Sequence, residues 1–331
     1  MGAATDGVAV VEDVRGTALD ALARSRAVVR DEGAWADPAA LRRAADGAAV
    51  LVVRNRTRVD RALLEDLPAL RLVARAGVGL DNIDVAAADD LGVVVAAAAG
   101  ANAVSVAEHA LGLALAVARG TVASDAAVRR GAWDRAPGLE LAGGTWGLLS
   151  FGATARATGR LARALGLQVL AHDPHVRDDD PDLRALGARL VGLEELAAGS
   201  DVLSVHAPAT PATRHLVGAP FLARMRAGAV LVSVGRGEVV DEAALADALR
   251  RGHLRGAGLD VREQEPPVAG PLDGLPGVVL TPHVAGITGA AQERVVAALC
   301  RDAEAVLGGG EARGAVGRHR SPARGRVPSW T

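Results

Sequence analysis

The sequence predicts an α/β protein built on doubly wound parallel sheets. Short apolar runs alternate with helical patterns along most of the chain. The runs are nearly continuous in apolar residues, as in strands covered on both faces. The length of 331 residues suits two domains of about 150 residues each.

Taken in order, strands are expected at 7–11, 49–53, 70–74 and 93–95, with helical patterns at 38–45 and 60–67 between them. A long helix is expected over 103–119. A second series follows, with strands at 145–149, 168–172, 201–206, 229–234, 256–261 and 278–281. Residues 241–251 carry a full set of helix signals: an acidic start, apolar Ala244, Leu245, Ala248 and Leu249, a basic end, then Gly252. The chain should change domain near Asn102 and cross back near Ile287. From Gly308 the composition shifts to Gly, Arg and Pro with few apolar residues. Such a segment buries too little surface to offset its ordering entropy, so 308–331 is expected to be a disordered, solvated tail.

Composition narrows the chemistry. The 37 basic residues are all Arg, against 39 acidic ones, a formal net charge of −2. That balance gives no electrostatic reason to expect a nucleic-acid partner. With no Lys and no Tyr, Schiff-base, phosphate-loop Lys and Tyr/Lys hydride-transfer sites are excluded. The single Cys300 excludes disulfide scaffolds and thiolate zinc clusters. The His residues at 109, 172, 175, 215, 253 and 319 have no metal-ligand spacing, so no metal is expected. Asp6, Glu12, Asp13 and Arg15 interrupt any apolar targeting signal, and no uncharged apolar stretch of about 18 residues occurs. The expectation is a soluble cytoplasmic protein that does not engage a membrane.

The segment after residue 145 reads strand, turn, helix. Dinucleotide binding asks for Gly-x-Gly-x-x-Gly at such a turn; here it is Ser150-x-Gly152-x-x-Ala155. Gly152 keeps the position where backbone approaches a pyrophosphate, and Ala155 is a tolerated small residue. Ser150 brings a Cβ to the tight turn. Asp173, about 20 residues on, can bind ribose hydroxyls and repel an extra phosphate, which favours NAD over NADP, although Arg177 lies close enough to accept one.

With those residues stand Arg54-Asn-Arg56-Thr, Arg75-Ala-Gly-Val78-Gly79-Leu-Asp-Asn-Ile-Asp, Gly100-Ala-Asn102, Val234-Gly-Arg236-Gly, Gly258-Leu-Asp260-Val-Arg-Glu-Gln-Glu265-Pro-Pro and Leu280-Thr-Pro-His283. Their order and number resemble the D-isomer-specific 2-hydroxyacid dehydrogenases, with the phosphoglycerate and sulfolactate dehydrogenase-like branch most similar. The resemblance covers most of the chain. It implies two Rossmann-like domains with the active site in the cleft between them. A flavodoxin-like substrate-binding domain would span 1–101 and an NAD-binding domain 102–286, with a helix at 287–307 returning to the first.

The resemblance implies a catalytic trio of Arg236, Glu265 and His283. Their chemistry agrees: a guanidinium grips a carboxylate bidentately, an imidazole exchanges a proton near neutral pH, and a carboxylate fixes its tautomer. It implies cofactor contacts from Ser150, Gly152, Ala153, Thr154, Asp173, His206, Pro208, Thr213, Val234, Asp260 and His283. It implies substrate contacts from Val78, Gly79, Asn102 and Arg236. Arg54 and Arg56 alternate on an extended segment and so face one way, which suits a second anionic group on the substrate. A homodimer through the 103–119 helix is also implied. The expected function is NAD-dependent hydride transfer on a small anionic D-2-hydroxy acid that is phosphoglycerate-, sulfolactate- or phosphonate-like. The alternatives are an unusual hydroxy substrate of specialised metabolism and a non-catalytic NAD-binding sensor. The chain departs from the family pattern at Ala97, Ala99, Ser150, Thr154, Ser233, Glu238 and Arg262, the last standing where an aromatic is usual.

Overall fold

The computed structural model describes residues 6–323. The chain divides into two compact units, Met1–Asn102 with Thr288–Thr331, and Ala103–Ile287.

The first unit begins with β1 (Val8–Val10), α1 (Thr17–Ser25), β2 (Val28–Arg30), α2 (Pro38–Ala45), β3 (Val50–Val53), α3 (Arg61–Asp66), β4 (Leu72–Arg75), α4 (Val85–Asp90) and β5 (Val94–Ala97). These strands pair in parallel in the order β2-β1-β3-β4-β5. Alternate residues of β3 enter opposite cores. Val50 and Val52 pack with Leu72 and Val295, while Leu51 and Val53 pack with Leu63 and Val73. Helix starts are locally encoded. The Asp37 carboxylate accepts the N–H groups of Ala39 and Ala40 at 3.0 and 3.2 Å ahead of Pro38, a cap worth about 1 kcal/mol.

The second unit contains α5 (Ala103–Arg119), α6 (Thr121–Arg129), β6 (Thr145–Leu149), α7 (Ala153–Ala164), β7 (Gln168–His172), α8 (Pro181–Leu186), β8 (Arg189–Leu190), α9 (Leu193–Gly199), β9 (Val202–Val205), α10 (Ala219–Arg224), β10 (Val230–Ser233), α11 (Glu242–Arg250), β11 (Gly256–Leu259) and β12 (Val278–Leu280). Its seven strands are all parallel, in the order β12-β11-β10-β9-β6-β7-β8. The order reverses between β6 and β9, the point where doubly wound sheets bind ligands. Trp146 is fully buried, and its indole N–H donates to Ser204 Oγ at 2.8 Å. Helix α5 lies close on β11 because the strand offers Gly258, where a Cβ would sit 2.8 Å from that of Leu113. Among the described residues no single helix is long and apolar enough to cross a membrane.

The chain then returns to the first unit through α12 (Gly289–Leu307), whose apolar face completes the core around Val8, Val50 and Leu72. The expectation of disorder from Gly308 is corrected here. Residues 315–316 form β13 (Ala315–Val316), antiparallel to β5. Ala312 is fully buried, and the buried Asp302 carboxylate accepts the N–H groups of Arg313 and Gly314 at 2.8 and 3.0 Å. Composition counted the segment's few apolar side chains, whereas its order comes from backbone hydrogen bonds that composition does not register. The remainder of that expectation, 324–331, lies outside the described residues.

Candidate active site

The turn between β6 and α7 has the shape a dinucleotide needs. Ser150 adopts φ 76°, the left-handed conformation usually left to Gly. Its N–H donates to the His172 carbonyl at 2.8 Å and its hydroxyl to Asp173 Oδ2 at 3.2 Å, which holds the strained residue in place. A Cβ on Gly152 would meet nothing within 4 Å, so open space lies against the start of α7. Gly152 caps that helix with no side-chain hydrogen bond, leaving its first N–H groups for an anion.

Asp173 follows β7. Its carboxylate accepts Phe151 N–H and His175 N–H, both at 2.9 Å, besides the Ser150 hydroxyl. Partial burial pushes its pKa up, but these hydrogen bonds prevail and hold it below the usual carboxylate value. Thr154 Oγ1 lies 3.1 Å from His206 Nδ1, whose Nε2 is 2.9 Å from Ser204 Oγ. Burial pushes His206 down to about 3, so it is neutral at physiological pH. Pro208 and Thr213 close one turn, the Thr213 hydroxyl donating to the Pro208 carbonyl at 2.6 Å. Val234 is buried after β10, and Ala153 is exposed at the first position of α7. These residues fit a dinucleotide: an uncapped helix start at the sheet's reversal point for the pyrophosphate, and a carboxylate at the neighbouring strand end for the ribose.

The three expected catalytic residues all lie in this unit, on connections at the carboxyl ends of β10, β11 and β12. His283 Nδ1 is 2.6 Å from Glu265 Oε2, and Glu265 Oε1 accepts the Arg262 N–H at 3.0 Å. The Glu265 contact raises the His283 pKa above its ordinary value, against burial and the repulsion of Arg236. Burial pushes Glu265 up, but His283, the Arg262 N–H and Arg236 together hold it below its ordinary value. Arg236 has extended backbone at the start of a short 3₁₀ turn, and its Nη1 donates to the Gly235 carbonyl at 3.0 Å. The following Gly237 is obligatory, since a Cβ there would fall 1.8 Å from the Arg262 carbonyl oxygen.

His283 itself has φ 53°, a conformation that costs a non-Gly residue about 1–3 kcal/mol and needs support. Asp260 supplies it. The Asp260 carbonyl accepts His283 N–H at 2.8 Å, and its carboxylate accepts Val284 N–H, Ala285 N–H and the Thr281 hydroxyl at 2.9, 2.8 and 2.5 Å. His109 Nε2 adds a contact to Thr281 Oγ1 at 2.9 Å. Asp260, expected beside the cofactor, has its carboxylate turned to the loop that carries His283, with no exposed side-chain surface. Thr281 and His109 received no role from sequence. Thr281 stood inside the Thr-Pro-His motif, but nothing marked its partner 172 residues away.

The other expected substrate residues are in the first unit. Arg54 and Arg56 follow β3 on a loop whose four successive N–H groups, from Arg54 to Thr57, donate to the buried carboxylate of Glu12 at 2.8–3.2 Å. Asn82 Nδ2 donates to the Arg54 and Thr57 carbonyls at 3.2 and 2.7 Å. Glu12 and Asn82 therefore shape this loop, and only Asn82 stood within a recognisable motif. The Arg56 guanidinium lies over the Trp35 ring at 4.7 Å. Val78 is exposed and Gly79 half-buried after β4, and the Asn102 Oδ1 is buried without a hydrogen-bond partner among the described residues. Among those residues no group of three His, Cys, Asp or Glu side chains could hold a metal ion.

Comparison with known proteins agrees with this geometry. The family described as D-isomer specific 2-hydroxyacid dehydrogenase, NAD binding domain, matches residues 111–285. An (S)-sulfolactate dehydrogenase of Chromohalobacter salexigens is 43% identical over 291 residues, 87% of this chain and 94% of that protein. A D-3-phosphoglycerate dehydrogenase of Mycobacterium tuberculosis is 45% identical over 247 residues, and those cover 74% of this chain but 46% of that longer protein. Among solved structures, the TT0316 protein of Thermus thermophilus superposes with a TM-score of 0.85 at 35% identity, covering 94% of this chain and all of that one. The chain belongs to the D-isomer specific 2-hydroxyacid dehydrogenase family, and is an NAD-dependent oxidoreductase acting on a small hydroxy acid.

Proposed function

We propose that this dehydrogenase interconverts a D-2-hydroxy acid bearing a second anionic group with its 2-keto acid, using Arg236, Glu265 and His283. The observation that carries the reading is the 2.6 Å pairing of His283 with Glu265, with Arg236 close enough to bias the titration of both. NAD, when bound, supplies the acceptor for the substrate's C2 hydride. Nδ1 of His283 is engaged by Glu265, which leaves Nε2 to take the hydroxyl proton in oxidation and to return it in reduction. Glu265 fixes the tautomer and stabilises the imidazolium. The planar fork of Arg236 holds the C1 carboxylate and the oxygen on C2.

Gly152, Ala153 and Thr154 would hold the pyrophosphate at the turn that Ser150 opens, and Asp173 the ribose. His206, Pro208, Thr213 and Val234 would line the cofactor. The negative charge of Asp173 favours NAD over NADP. Val78, Gly79 and Asn102 would contact the substrate, and Arg54 and Arg56 its distal anion. The sulfonate and phosphate in the names of the relatives support a dianionic substrate. We place the enzyme in the cytoplasm as a homodimer. In support, α6 has no buried residue, and Val104, Leu115, Val122, Val128 and Trp133 are exposed on and around α5 and α6.

The test is turnover of sulfolactate, 3-phosphoglycerate and plain D-lactate by wild type and His283→Ala. Turnover of a dianionic acid over lactate, lost in a variant that still binds NADH, is expected. Wild-type turnover by His283→Ala refutes the assignment.

A further inference from the structure

We propose that Glu242 and Arg262 form a clamp that positions the catalytic dyad, by fixing the backbone from which Glu265 is held against His283. The catalytic consequence rests on the reading above; the positional one does not. Glu242 opens α11, a helix start secured by the Asp241 carboxylate accepting Ala244 N–H at 2.9 Å. Its carboxylate takes the Arg262 fork bidentately, Oε1 from Nε at 2.8 Å and Oε2 from Nη2 at 2.9 Å. Oε1 also accepts the Glu263 N–H at 2.9 Å. Next to it, the Arg262 N–H donates to Glu265 Oε1 at 3.0 Å, and Glu265 Oε2 meets His283 Nδ1 at 2.6 Å. Two glutamates thus hold adjacent N–H groups of one short segment, one anchored to a helix and the other carrying the ring.

The segment has little freedom to move otherwise. The Arg262 carbonyl lies so close to Gly237 that no Cβ would fit between them, which ties the clamp to the turn bearing Arg236. The Arg262 side chain is only 8% exposed, so its charge stays buried only while the fork is paired. Asp273 is the other acid near it, 3.8 Å from Nη1. The charged groups facing His283 are Glu265, Arg236 and Asp260, and those facing Glu265 are His283 and Arg236. None of them replaces the Glu242 contact. Arg262 also stands where the family resemblance has an aromatic, a side chain that could not supply this fork.

The experiment follows the His283 ring by NMR titration of the whole protein without cofactor, in wild type, Glu242→Gln and Arg262→Lys, with turnover measured in parallel. In both variants the ring should titrate closer to the ordinary histidine value than in wild type. kcat should fall by about tenfold to a hundredfold, as for a misplaced catalytic group, with the Kd for NADH nearly unchanged. A folded variant with an unchanged His283 titration and an unchanged kcat overturns the clamp. Should Glu242→Gln fail to fold, Arg262→Lys decides, since it keeps the charge and loses only the fork. A shifted titration in these variants, together with full turnover by His283→Ala, would leave the clamp standing and remove the catalytic assignment instead.

Discussion

Replacing Ser150 with Gly separates two effects that the turn before α7 combines. In wild type a Cβ is held at φ 76°, and its hydroxyl donates to Asp173 Oδ2 at 3.2 Å. Removing the Cβ relieves about 1–2 kcal/mol of left-handed strain. Against that stand the lost hydrogen bond, about 0.5–1.5 kcal/mol, and the extra chain entropy of Gly, about 0.5–1 kcal/mol. The three nearly cancel, so the melting temperature should move by less than about 4 °C. Cofactor affinity behaves differently, because backbone strain is present before and after binding and drops out. What remains is the acceptor that Ser150 occupies on Asp173. In the variant Phe151 and His175 still hold that carboxylate, while one lone pair is released for a ribose hydroxyl. A long, partly solvated hydrogen bond to this carboxylate is worth about 0.5–1.5 kcal/mol, roughly a 2- to 10-fold tighter Kd for NADH. The assay is energy transfer from Trp to bound NADH, alongside a melting curve. A weaker Kd at unchanged stability would refute the reasoning, because Ser150 would then be contacting the ribose rather than competing for Asp173.

Further predictions follow from other parts of the structure. Gly152→Val should leave stability nearly unchanged, as a Cβ there meets nothing, yet weaken NADH at least about 10-fold by filling the pyrophosphate space; wild-type affinity in that titration would place the pyrophosphate elsewhere. Glu12→Gln should lower unfolding free energy by about 2–4 kcal/mol in urea, since one amide oxygen cannot serve four N–H groups; a loss under about 0.5 kcal/mol would contradict the anchoring role. The lowered pKa of Glu12 gives the sign of its pH effect: its contribution is complete above the ordinary glutamate value and is lost as pH falls through the lowered one. For His283 the sign is opposite: its pairing stabilises fully below the ordinary histidine value and fades as pH rises through the raised one. Oxidation needs the neutral ring, so kcat/KM for the hydroxy acid should climb with pH through an inflection above 6.5, and Glu265→Gln should move that inflection down; an inflection that stays put separates Glu265 from the ring's titration. Trp133→Glu should convert a dimer to a monomer in light scattering; a monomeric wild type would remove the dimer proposal.

Much of the architecture was legible because it is written in short-range patterns. The nearly continuous apolar runs at 145–149 and 229–234 were read as strands covered on both faces, and β6 and β10 bury alternate residues in two cores. The helix over 103–119 is α5, and the polar-to-apolar rhythm after Asp241 gave α11 its limits. Arg236, Glu265 and His283 were legible as motif residues, and the structure adds that Glu265 and His283 touch. What the sequence did not show shares one cause. The segment after Gly308 was read from side-chain composition, but Asp302 and β5 order it through its backbone. Asp260 was read by resemblance as a cofactor neighbour, and its contacts to the loop carrying His283 stood in no motif.

The sequence by itself determined the class of fold, the central strands of both sheets, the family and the identity of the chemical groups, but not the short strands β2, β8 and β13. Periodicity, caps and motif spacing are local properties, carried within a turn or a strand. Tertiary structure alone decided which groups meet. Glu12 reaches the Arg54 loop across more than forty residues, His109 reaches Thr281 across 172, and Glu242 finds Arg262 across a helix and a strand. Each of these is a polar group withdrawn from water that must find a partner, and the partner is chosen by packing in three dimensions rather than by distance along the chain.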